Sequence, residues 1–393
     1  MGAMTTRREA AKAAVFTALS YSRVLGANDR IGLGVIGTGE RGTYVMTLFQ
    51  KNPEVDVRAL CDVYGARIDQ AQRKAPGTKA FGDHRKLLEL KELDAVLIGT
   101  PDHWHKTCAI DAMDAGKDVY VEKPLCRTRD EAPEMVRAAR VTNRVCQVGL
   151  QQRSGEIYLE PREKFVASGA IGKINHIDAI WHGGPARPLP TEPAVKPSNL
   201  DWVRFLGPVR YRDWAPGQYL DFRAFLDFNG GKMTDFGHHW LDVVHMYMGE
   251  RACNSAVFAG GIFFDFHDGR TAPDTCNALF EYDGFTVNFQ SNTTGGEYGI
   301  TFHGDKGRLF VNRNRWEFTT YEKGARPQTR SIPGDITADH VRNFLDCCRS
   351  RKLPNGDVGI AAISILPPLL AVQSYLEKRR LKFDPGRLEV FPL

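Results

Sequence analysis

The sequence predicts an α/β protein in two parts: a doubly wound parallel sheet, followed by an α+β domain built on a large, mostly antiparallel open sheet. At 393 residues, the chain is longer than one core of ordinary size requires. Short apolar runs alternate with helical segments from residue 31 to residue 151, whereas 152–393 shows the alternation of half-buried strands. We therefore expect domains at 31–151 and 152–393, preceded by an N-terminal arm at 1–30.

The first domain is predicted from short apolar runs, each followed by a segment with helical spacing of its apolar residues. The expected strands are 31–36, 55–61, 93–99, 118–121 and 145–149, and the expected helices are 43–49, 66–74, 83–90, 105–115 and 129–142. Because helices separate successive strands, we expect the strands to run parallel in one doubly wound sheet.

The second domain is predicted from period-two alternation, which is typical of antiparallel strands with one buried face. The expected strands are 173–181, 256–266, 277–290, 298–303 and 308–312. Residues 182–231 are rich in proline, glycine and aromatic residues, which indicates a long ordered loop of the kind that binds ligands. A last helix at 359–380 is expected to pack back near the first domain.

Composition excludes several classes of protein. Hydrophobic residues make up 42% of the chain and charged residues 25%, as in soluble globular proteins. The net charge of +5 comes without a dense Lys/Arg block, so no nucleic acid is expected as a partner. The eight cysteines contain no Cys-x-x-Cys pair, which argues against a disulfide framework or a zinc knuckle. No segment approaches the ~20 continuous apolar residues of a membrane span, so no membrane partner is expected.

The N-terminal arm has two interpretations. Arg7 and Arg8 precede an alanine-rich stretch at 10–19, a pattern similar to the twin-arginine signal that exports folded proteins to the periplasm. Lys12 and Arg23 interrupt the apolar run, which favours a flexible or helical arm of a cytoplasmic protein at least as well. Both locations stay open at this point.

Three glycines follow the first strand at the spacing Gly-x-Gly-x-x-Gly, formed by Gly37, Gly39 and Gly42. Between a buried strand and a helix, this spacing is typical of a turn that binds a dinucleotide. Gly37 permits the tight bend, Gly39 lets the backbone approach a pyrophosphate, and Gly42 lets the helix and strand pack closely. Amides at the helix N-terminus would then bind the phosphates. The other turn residues expected at the cofactor are Thr38, Glu40 and Arg41.

An acidic residue ends the second strand. Asp62 lies twenty residues beyond Gly42, where a carboxylate accepts hydrogen bonds from the adenosine ribose of a dinucleotide. The 2′-phosphate of NADP would be repelled by this carboxylate. The sequence therefore predicts NAD as the cofactor in preference to NADP.

Two further strand ends bring polar side chains to the same edge of the sheet. The strand at 93–99 is followed by TPDHWH at 100–105, and the strand at 118–121 by EKP at 122–124. Because α/β sheets bind ligands at the carboxyl ends of their strands, these segments are expected around one crevice. The residues expected to contact the cofactor there are Thr100, Pro101, Trp104, His105, Glu122 and Lys123.

With these motifs, the chain resembles the glucose-fructose oxidoreductase, inositol dehydrogenase and MocA family of NAD(P)-dependent oxidoreductases. The resemblance covers the glycine turn, Asp62, the TP and EKP segments and, more loosely, the residues at 230–239. It implies that Lys123 sits at the nicotinamide and hydrogen-bonds the reacting hydroxyl, that Gln151 borders the cofactor, and that the substrate is a carbohydrate. It also implies a homo-oligomer, a dimer or tetramer, formed through the open sheet face.

A second group of polar residues lies at 234–242. Asp235, His239 and Asp242 are four and three residues apart, so on one helix they would share a face. Histidine titrates near neutral pH and is suited to take a proton from an alcohol. The resemblance assigns this acid/base role to His239 and a substrate contact to Asp235.

A metal-binding interpretation competes on the same helix, since His238, Asp242 and His245 also share a face. Hydride transfer to nicotinamide needs no metal, and the family usually lacks one. We therefore expect no metal site and expect His238 and His245 to pack in the core.

The junction between the domains carries further polar residues. Arg153 follows the last strand of the first domain, where the family places substrate contacts, so it is expected to bind substrate. Trp181, Trp202 and Trp214 are expected mainly as packing anchors of the long loop region. Arg223 has two interpretations, a contact to an acidic group or a surface residue.

These expectations favour a protein that oxidises a hydroxyl of a sugar, cyclitol or glycoside by hydride transfer to NAD. One alternative is a redox-assisted glycoside hydrolase or lyase, which oxidises the ring transiently, eliminates the aglycone and reduces the ring again. A metal-dependent sugar hydrolase or isomerase is a second alternative. A cofactor-sensing regulatory protein is a third, disfavoured because Lys123, Asp235 and His239 are all present.

Overall fold

The computed structural model describes residues 30–264, 266–292, 295–296, 298–384 and 389–392. The twin-arginine pattern lies outside the described residues. Two sheets carry the architecture of the described part: a parallel sheet and a larger, mostly antiparallel one. The predicted fold class is confirmed.

The first sheet is parallel throughout and has the strand order β3-β2-β1-β4-β5-β6. Its strands are β1 (Ile31–Ile36), β2 (Val55–Cys61), β3 (Lys79–Phe81), β4 (Ala95–Ile98), β5 (Asp118–Val121) and β6 (Cys146–Val148). Because β1 pairs with β2 on one side and β4 on the other, the strand order reverses at β1. A doubly wound sheet binds its ligands at the carboxyl ends of the strands beside this reversal.

Helices cover both faces of the first sheet, which is why β1 is apolar on both sides. Leu33 and Val35 pack with Phe49 on one face, and Ile36 packs with Val96 on the other. The helices are α1 (Glu40–Gln50), α2 (Gly65–Gln72), α3 (His84–Leu88), α4 (His105–Asp114) and α5 (Glu131–Thr142).

The second sheet has the order β14-β13-β12-β11-β7-β10-β9-β8-β15-β16, and its β7–β10 pair is parallel. Alternate residues of β9 and β10, such as Phe280 and Phe289, are buried, so one face forms the core. The strands are β7 (Ile174–Ile180), β8 (Ser255–Gly261), β9 (Thr275–Tyr282), β10 (Phe285–Ser291), β11 (Gly299–Gly304), β12 (Gly307–Val311), β13 (Arg315–Thr320), β14 (Gln328–Ser331), β15 (Leu381–Asp384) and β16 (Glu389–Pro392).

The helices beyond the first domain include several in the region predicted as a long loop. Trp202, Phe205 and Phe228 form a separate apolar cluster there. The helices are α6 (Glu156–Pro161), a π-helical turn (Arg162–Ala167), α7 (Trp202–Leu206), α8 (Pro216–Leu220), α9 (Gly231–Asp235), α10 (Gly237–Met248), α11 (Ile336–Ser350), α12 (Val358–Ser364) and α13 (Leu366–Glu377). Short 3₁₀ turns occupy Asp102–Trp104, Gln151–Ser154 and Phe222–Ala224.

Several element predictions differ from the structure, among them the following three. The strand predicted at 277–290 is a hairpin, and its turn contains Gly284 at φ +90°. The helix predicted at 359–380 is interrupted before Pro367, because proline donates no backbone N–H. Helix α11 was not predicted; its Phe344 packs against Phe49 and Tyr120 in the core of the first sheet.

One apolar segment bears on the expectation about membrane spans. Val358–Glu377 has the length and composition of a membrane-crossing helix. In the structure its residues Val358, Ala361 and Ile365 are buried in the core beside the first sheet. A core helix meets the same criteria of length and composition.

Candidate active site

A cleft of about 480 Å³ opens at the carboxyl ends of the first sheet, with residues of the second domain across from them. Most of the residues predicted at the site line this cleft. They are Gly37, Gly39, Glu40, Arg41, Asp62, Thr100, Pro101, Trp104, Glu122, Lys123, Gln151, Asp235 and His239. Thr38, Gly42, His105 and Arg153 were also predicted but are not part of its wall.

The glycine turn has the geometry that a dinucleotide needs. Gly37 has φ +86°, and a Cβ there would lie 2.6 Å from the Thr100 nitrogen. A Cβ at Gly42 would lie 2.0 Å from the Gly37 oxygen, which shows how closely α1 approaches the turn. At Gly39 a Cβ would meet no heavy atom within 4 Å. The turn thus leaves open space in the cleft before the N-terminus of α1, where a pyrophosphate fits.

The Asp62 carboxylate is fixed at the end of β2. It accepts hydrogen bonds from the Thr38 nitrogen at 2.8 Å, the Thr38 hydroxyl at 3.2 Å and the Tyr64 nitrogen at 3.0 Å. Burial raises the pKa of Asp62, although these backbone amides oppose the shift. Thr38 therefore positions Asp62 rather than facing the cleft.

Glu122 and Arg41 form an ion pair beside the turn. Arg41 Nε lies 2.9 Å from Glu122 Oε1, but both oxygens of this buried carboxylate lack an aligned hydrogen bond from any described residue. The Gln151 amide, oriented to satisfy its neighbours, accepts from Arg41 Nη2 at 2.7 Å and donates to the Gly149 carbonyl. Two unsatisfied acceptors in the cleft suit the hydroxyls of a ribose.

Lys123 is anchored by Asp235 across the cleft. Its Nζ donates to Asp235 Oδ1 at 2.7 Å and to the Asp235 carbonyl at 2.8 Å, and Arg223 Nε donates to the same Oδ1 at 3.1 Å. Burial alone would raise the pKa of Asp235, but the Lys123 and Arg223 cations outweigh it and hold that pKa well below its usual range. Asp235 is therefore an anion that orients Lys123.

His239 lies in the same wall, stacked on Trp181 with ring centroids 5.5 Å apart. Arg313 Nη2 is 3.4 Å from His239 Nε2. A guanidinium only donates, so this contact suits the tautomer of His239 in which Nε2 carries the lone pair. Burial, with the nearby cations Lys123 and Arg313, holds the pKa of His239 well below its usual value. The imidazole is thus neutral and able to accept a proton.

The prediction that His105 contacts the cofactor is corrected. Both ring nitrogens point to backbone carbonyls, Nδ1 at 2.7 Å from that of Pro124 and Nε2 at 2.9 Å from that of Thr100. The ring is 1% exposed. His105 holds together the two loops that carry the cleft residues.

The prediction that Arg153 binds substrate is also corrected. Arg153 Nε lies 2.9 and 2.8 Å from the two carboxylate oxygens of Asp242, and Nη2 lies 2.8 Å from Glu250. The 3₁₀ turn Gln151–Ser154 places Gln151 in the cleft and directs Arg153 into the protein. Arg153 therefore forms a buried ion pair.

The three residues of the alternative metal site each have another partner in the structure. Asp242 is paired with Arg153, His238 Nε2 lies 3.1 Å from the Ser364 hydroxyl, and His245 Nε2 lies 2.9 Å from the Tyr282 hydroxyl. Among the residues that the structure describes, no three His, Cys, Asp or Glu side chains are grouped to hold a metal ion. The residues at 234–242 were predicted to share one helix, but they lie on two, α9 and α10. Asp235 and Asp242 are therefore on different helices.

Sequence reasoning missed several cleft residues, and Asp102 and Arg313 are the two nearest to the proposed chemistry. Asp102 is 3% exposed, accepts from Asn229 Nδ2 at 2.6 Å, and burial raises its pKa to about 8. Arg313 lies in the turn between β12 and β13, 74 residues beyond His239. Asp102 could have been found from the sequence, because it lies within the TPDHWH segment at the strand end. No local sequence signal indicated Arg313.

Comparison with known proteins identifies the family. Residues 31–150 match the model of an oxidoreductase family with an NAD-binding Rossmann fold, designated Gfo/Idh/MocA. Residues 176–391 match the model of the C-terminal α/β domain of that oxidoreductase family. The two matches together span most of the chain.

Individual proteins are similar over different lengths. Glycosyl hydrolase family 109 protein 1 of Shewanella sp. strain ANA-3 is 32% identical over 162 residues, 39% of this chain and 35% of that protein. The chain thus matches about a third of this curated relative. An aldose-aldose oxidoreductase of Caulobacter crescentus has a TM-score of 0.71 at 17% identity, over 90% of this chain and 100% of the other. A Desulfitobacterium hafniense structure described as an NADPH-dependent oxidoreductase has a TM-score of 0.72 at 17% identity, over 90% and 98%. These structural likenesses show the fold.

Proposed function

Because the chain belongs to the Gfo/Idh/MocA oxidoreductase family, we propose that it is an NAD-dependent enzyme that oxidises a hydroxyl of a sugar, cyclitol or glycoside. The observation that carries the proposal is the placement of Lys123 and His239 in one cleft with the glycine turn. Proton removal from an alcohol needs a base and a stabiliser of the developing alkoxide, and these two side chains provide both.

The cleft residues fit a nicotinamide dinucleotide. The open space at Gly39 would accept a pyrophosphate, Asp62 would accept hydrogen bonds from the adenosine ribose, and the unsatisfied oxygens of Glu122 would suit the second ribose. Arg67 and Arg204 also line the cleft and would favour a phosphate. We give the preference to NAD because the Asp62 carboxylate stands directly at the strand end. When bound, NAD supplies the hydride acceptor.

Lys123 is suited to polarise the substrate hydroxyl. An ammonium has three N–H donors, and Asp235 accepts two of them. The third remains for the oxygen that loses its proton. Asp235 orients the Lys123 ammonium by this contact, and the ammonium stabilises negative charge on that oxygen.

His239 is suited to receive the hydroxyl proton at Nε2. This nitrogen carries a lone pair, and its contact with Arg313 at 3.4 Å is too long to compete with a well-placed hydroxyl. Trp181 fixes the plane of the ring by stacking. A neutral, oriented imidazole beside a lysine cation is the arrangement that alcohol deprotonation needs.

A redox-assisted glycosidase is the second candidate, and the similarity to a glycosyl hydrolase family 109 protein over 39% of this chain favours it. Such an enzyme uses the same Lys123 and His239 to oxidise a ring hydroxyl transiently. Elimination of the aglycone and reduction of the ring follow, so NADH would not accumulate. The substrate carbohydrate is common to both candidates.

The test is to incubate the protein with NAD and a panel of aryl glycosides and free sugars, and to follow NADH absorbance and released aglycone together. Accumulating NADH identifies the dehydrogenase, and aglycone without NADH identifies the redox-assisted glycosidase. Aglycone release that persists after all NAD is stripped from the protein would contradict both. A Lys123→Met variant serves as the inactive control.

A further inference from the structure

Arg313 is a cation in the cleft wall without a carboxylate partner in the described part of the chain. Arg41 is paired with Glu122, and Lys123 and Arg223 with Asp235. Arg313 contacts His239 at 3.4 Å and the neutral hydroxyl of Tyr158, and its buried Nε has no aligned hydrogen bond to a described residue. A buried charge is costly unless it is paired, so this guanidinium points to a missing anion.

The turn that carries Arg313 is built to hold it in place. Asn312 Oδ1 accepts hydrogen bonds from the Asn314 nitrogen at 2.8 Å and the Arg315 nitrogen at 2.9 Å, and Asn312 Nδ2 donates to the Tyr298 carbonyl at 3.2 Å. These bonds close the turn around Arg313. Its position therefore belongs to the fold and is available before any ligand binds.

The guanidinium is also held in plane. Its central carbon lies 4.9 Å from the Trp181 ring centroid, and Phe236 stacks on that ring at 5.1 Å with planes 7° apart. A guanidinium held against a ring face loses little of its freedom to donate from its rim, and its planar fork of N–H groups matches a carboxylate. The neighbouring His239 places such an anion next to the reacting hydroxyl.

The charges around the reacting end of the cleft leave an excess of cations. Lys123 and Arg223 share the one carboxylate of Asp235. Asp102 adds little negative charge at neutral pH, since burial raises its pKa to about 8. An anionic group on the substrate would balance Arg313.

We propose that the substrate carries a carboxylate that pairs with Arg313, so that the enzyme acts on an acidic sugar, such as a hexuronic acid or its glycoside. This inference rests on the proposed function and specifies its substrate class. It also links binding to chemistry. Arg313 disfavours protonation of the adjacent His239, and a carboxylate that neutralises Arg313 restores the basicity of the imidazole. The other charged or titratable groups that act on His239 are Lys123, Arg41 and His238.

The experiment compares sugars that differ only in a carboxylate. Glucuronides are paired with glucosides, and galacturonides with galactosides. Binding to the NAD-loaded protein is measured by calorimetry, and turnover by NADH and aglycone. In at least one pair the acidic member should bind roughly 100-fold more tightly, and Arg313→Gln should remove that preference. Arg313→Lys should keep part of it. Arg308→Gln on the same hairpin, where Arg308 is exposed and 3.8 Å from Glu317, is the matched control.

Thermal unfolding separates this role from a structural one. Removing an unpaired buried cation should leave the melting temperature of Arg313→Gln unchanged or higher, whereas loss of a structural contact would lower it. Equal affinity for both members of every pair, or a preference that survives in Arg313→Gln, overturns the inference. Arg313-dependent binding of acidic sugars with neither NADH nor aglycone formed would support this inference and contradict the proposed function.

Discussion

Lys123 Nζ lies 2.7 Å from Asp235 Oδ1 and 2.8 Å from the backbone carbonyl of the same residue. The two residues come from different domains. Lys123 follows β5 of the first domain, and Asp235 ends α9 of the second. Their contact joins the end of the parallel sheet to the segment just before the helix that carries His239, and all three residues line one cleft. The proposed chemistry depends on this link.

Replacing Lys123 by methionine should lower kcat by roughly 10³-fold while the affinity for NAD changes little. The reason is that the lysine acts mainly on charge that develops in the transition state. Turnover and calorimetric NAD affinity are measured side by side. Lys106→Met, which removes a lysine at 3.3 Å from Glu134 on the surface, is the control. Near-normal turnover of Lys123→Met would exclude the assigned role.

Replacing Asp62 by serine should narrow the preference for NAD over NADP by about tenfold, equivalent to ~1.4 kcal/mol. Serine removes the charge that repels a 2′-phosphate and leaves Arg67 in the cleft to attract it. Affinities for both cofactors are measured by calorimetry, with the exposed Asp69→Ser as the control. An unchanged preference, or wild-type protein that favours NADP, would contradict the role given to Asp62.

His239 should produce an acidic limb in the rate profile at a pH below the ordinary histidine value of about 6.5. An imidazole base works only when neutral, and burial together with Lys123 and Arg313 keeps it neutral to lower pH. Arg313→Gln removes a positive charge, which raises the pKa of His239 and moves this limb to higher pH.

Two variants on the same helix complete that test. His239→Ala should abolish the acidic limb along with most activity. His238 contacts Ser364 away from the cleft, so His238→Ala should keep the limb. Treatment with a chelator should leave the rate unchanged. Exchanged phenotypes, or activity lost on chelation and restored by a metal, would favour the metal-dependent alternative.

Replacing Arg153 by methionine should destabilise the fold by about 3–5 kcal/mol, because Asp242 is left as a buried, unpaired carboxylate. Even beside Arg153, burial raises the pKa of Asp242 to about 6. In the variant Asp242 must bind a proton to fold, so the deficit should grow as pH rises above about 6. Denaturant unfolding at several pH values measures this. If the variant instead has normal stability and a raised KM, Arg153 binds substrate, as the sequence predicted.

The parallel sheet was predictable because its signals are local. Leu33, Val35 and Ile36 form an apolar strand that needs helices on both faces, and the glycine turn follows at once. The cleft was predictable for the same reason, since strand ends of a doubly wound sheet meet at one edge. Residues Asp62, Glu122 and Lys123 could therefore be placed together from sequence.

What the sequence did not reveal depends on contacts between distant segments. Asp242 shares helical spacing with Asp235, yet it pairs with Arg153, 89 residues earlier. His105 sits in a motif at the cleft edge, yet two carbonyls occupy its nitrogens. Arg313 reaches His239 only because β12 and β13 bring their turn to the cleft. Spacing along the chain cannot distinguish these outcomes.

Isotope transfer shows whether hydrogen passes from a sugar carbon to the cofactor, which the proposed chemistry requires. The protein is mixed with NAD and a substrate deuterated at its ring carbons, quenched within one turnover, and the cofactor is analysed by mass spectrometry. We expect deuterium on the nicotinamide ring with wild-type protein and almost none with Lys123→Met, for a dehydrogenase and a redox-assisted glycosidase alike. Substrate consumed while the cofactor remains free of deuterium would contradict the proposed chemistry.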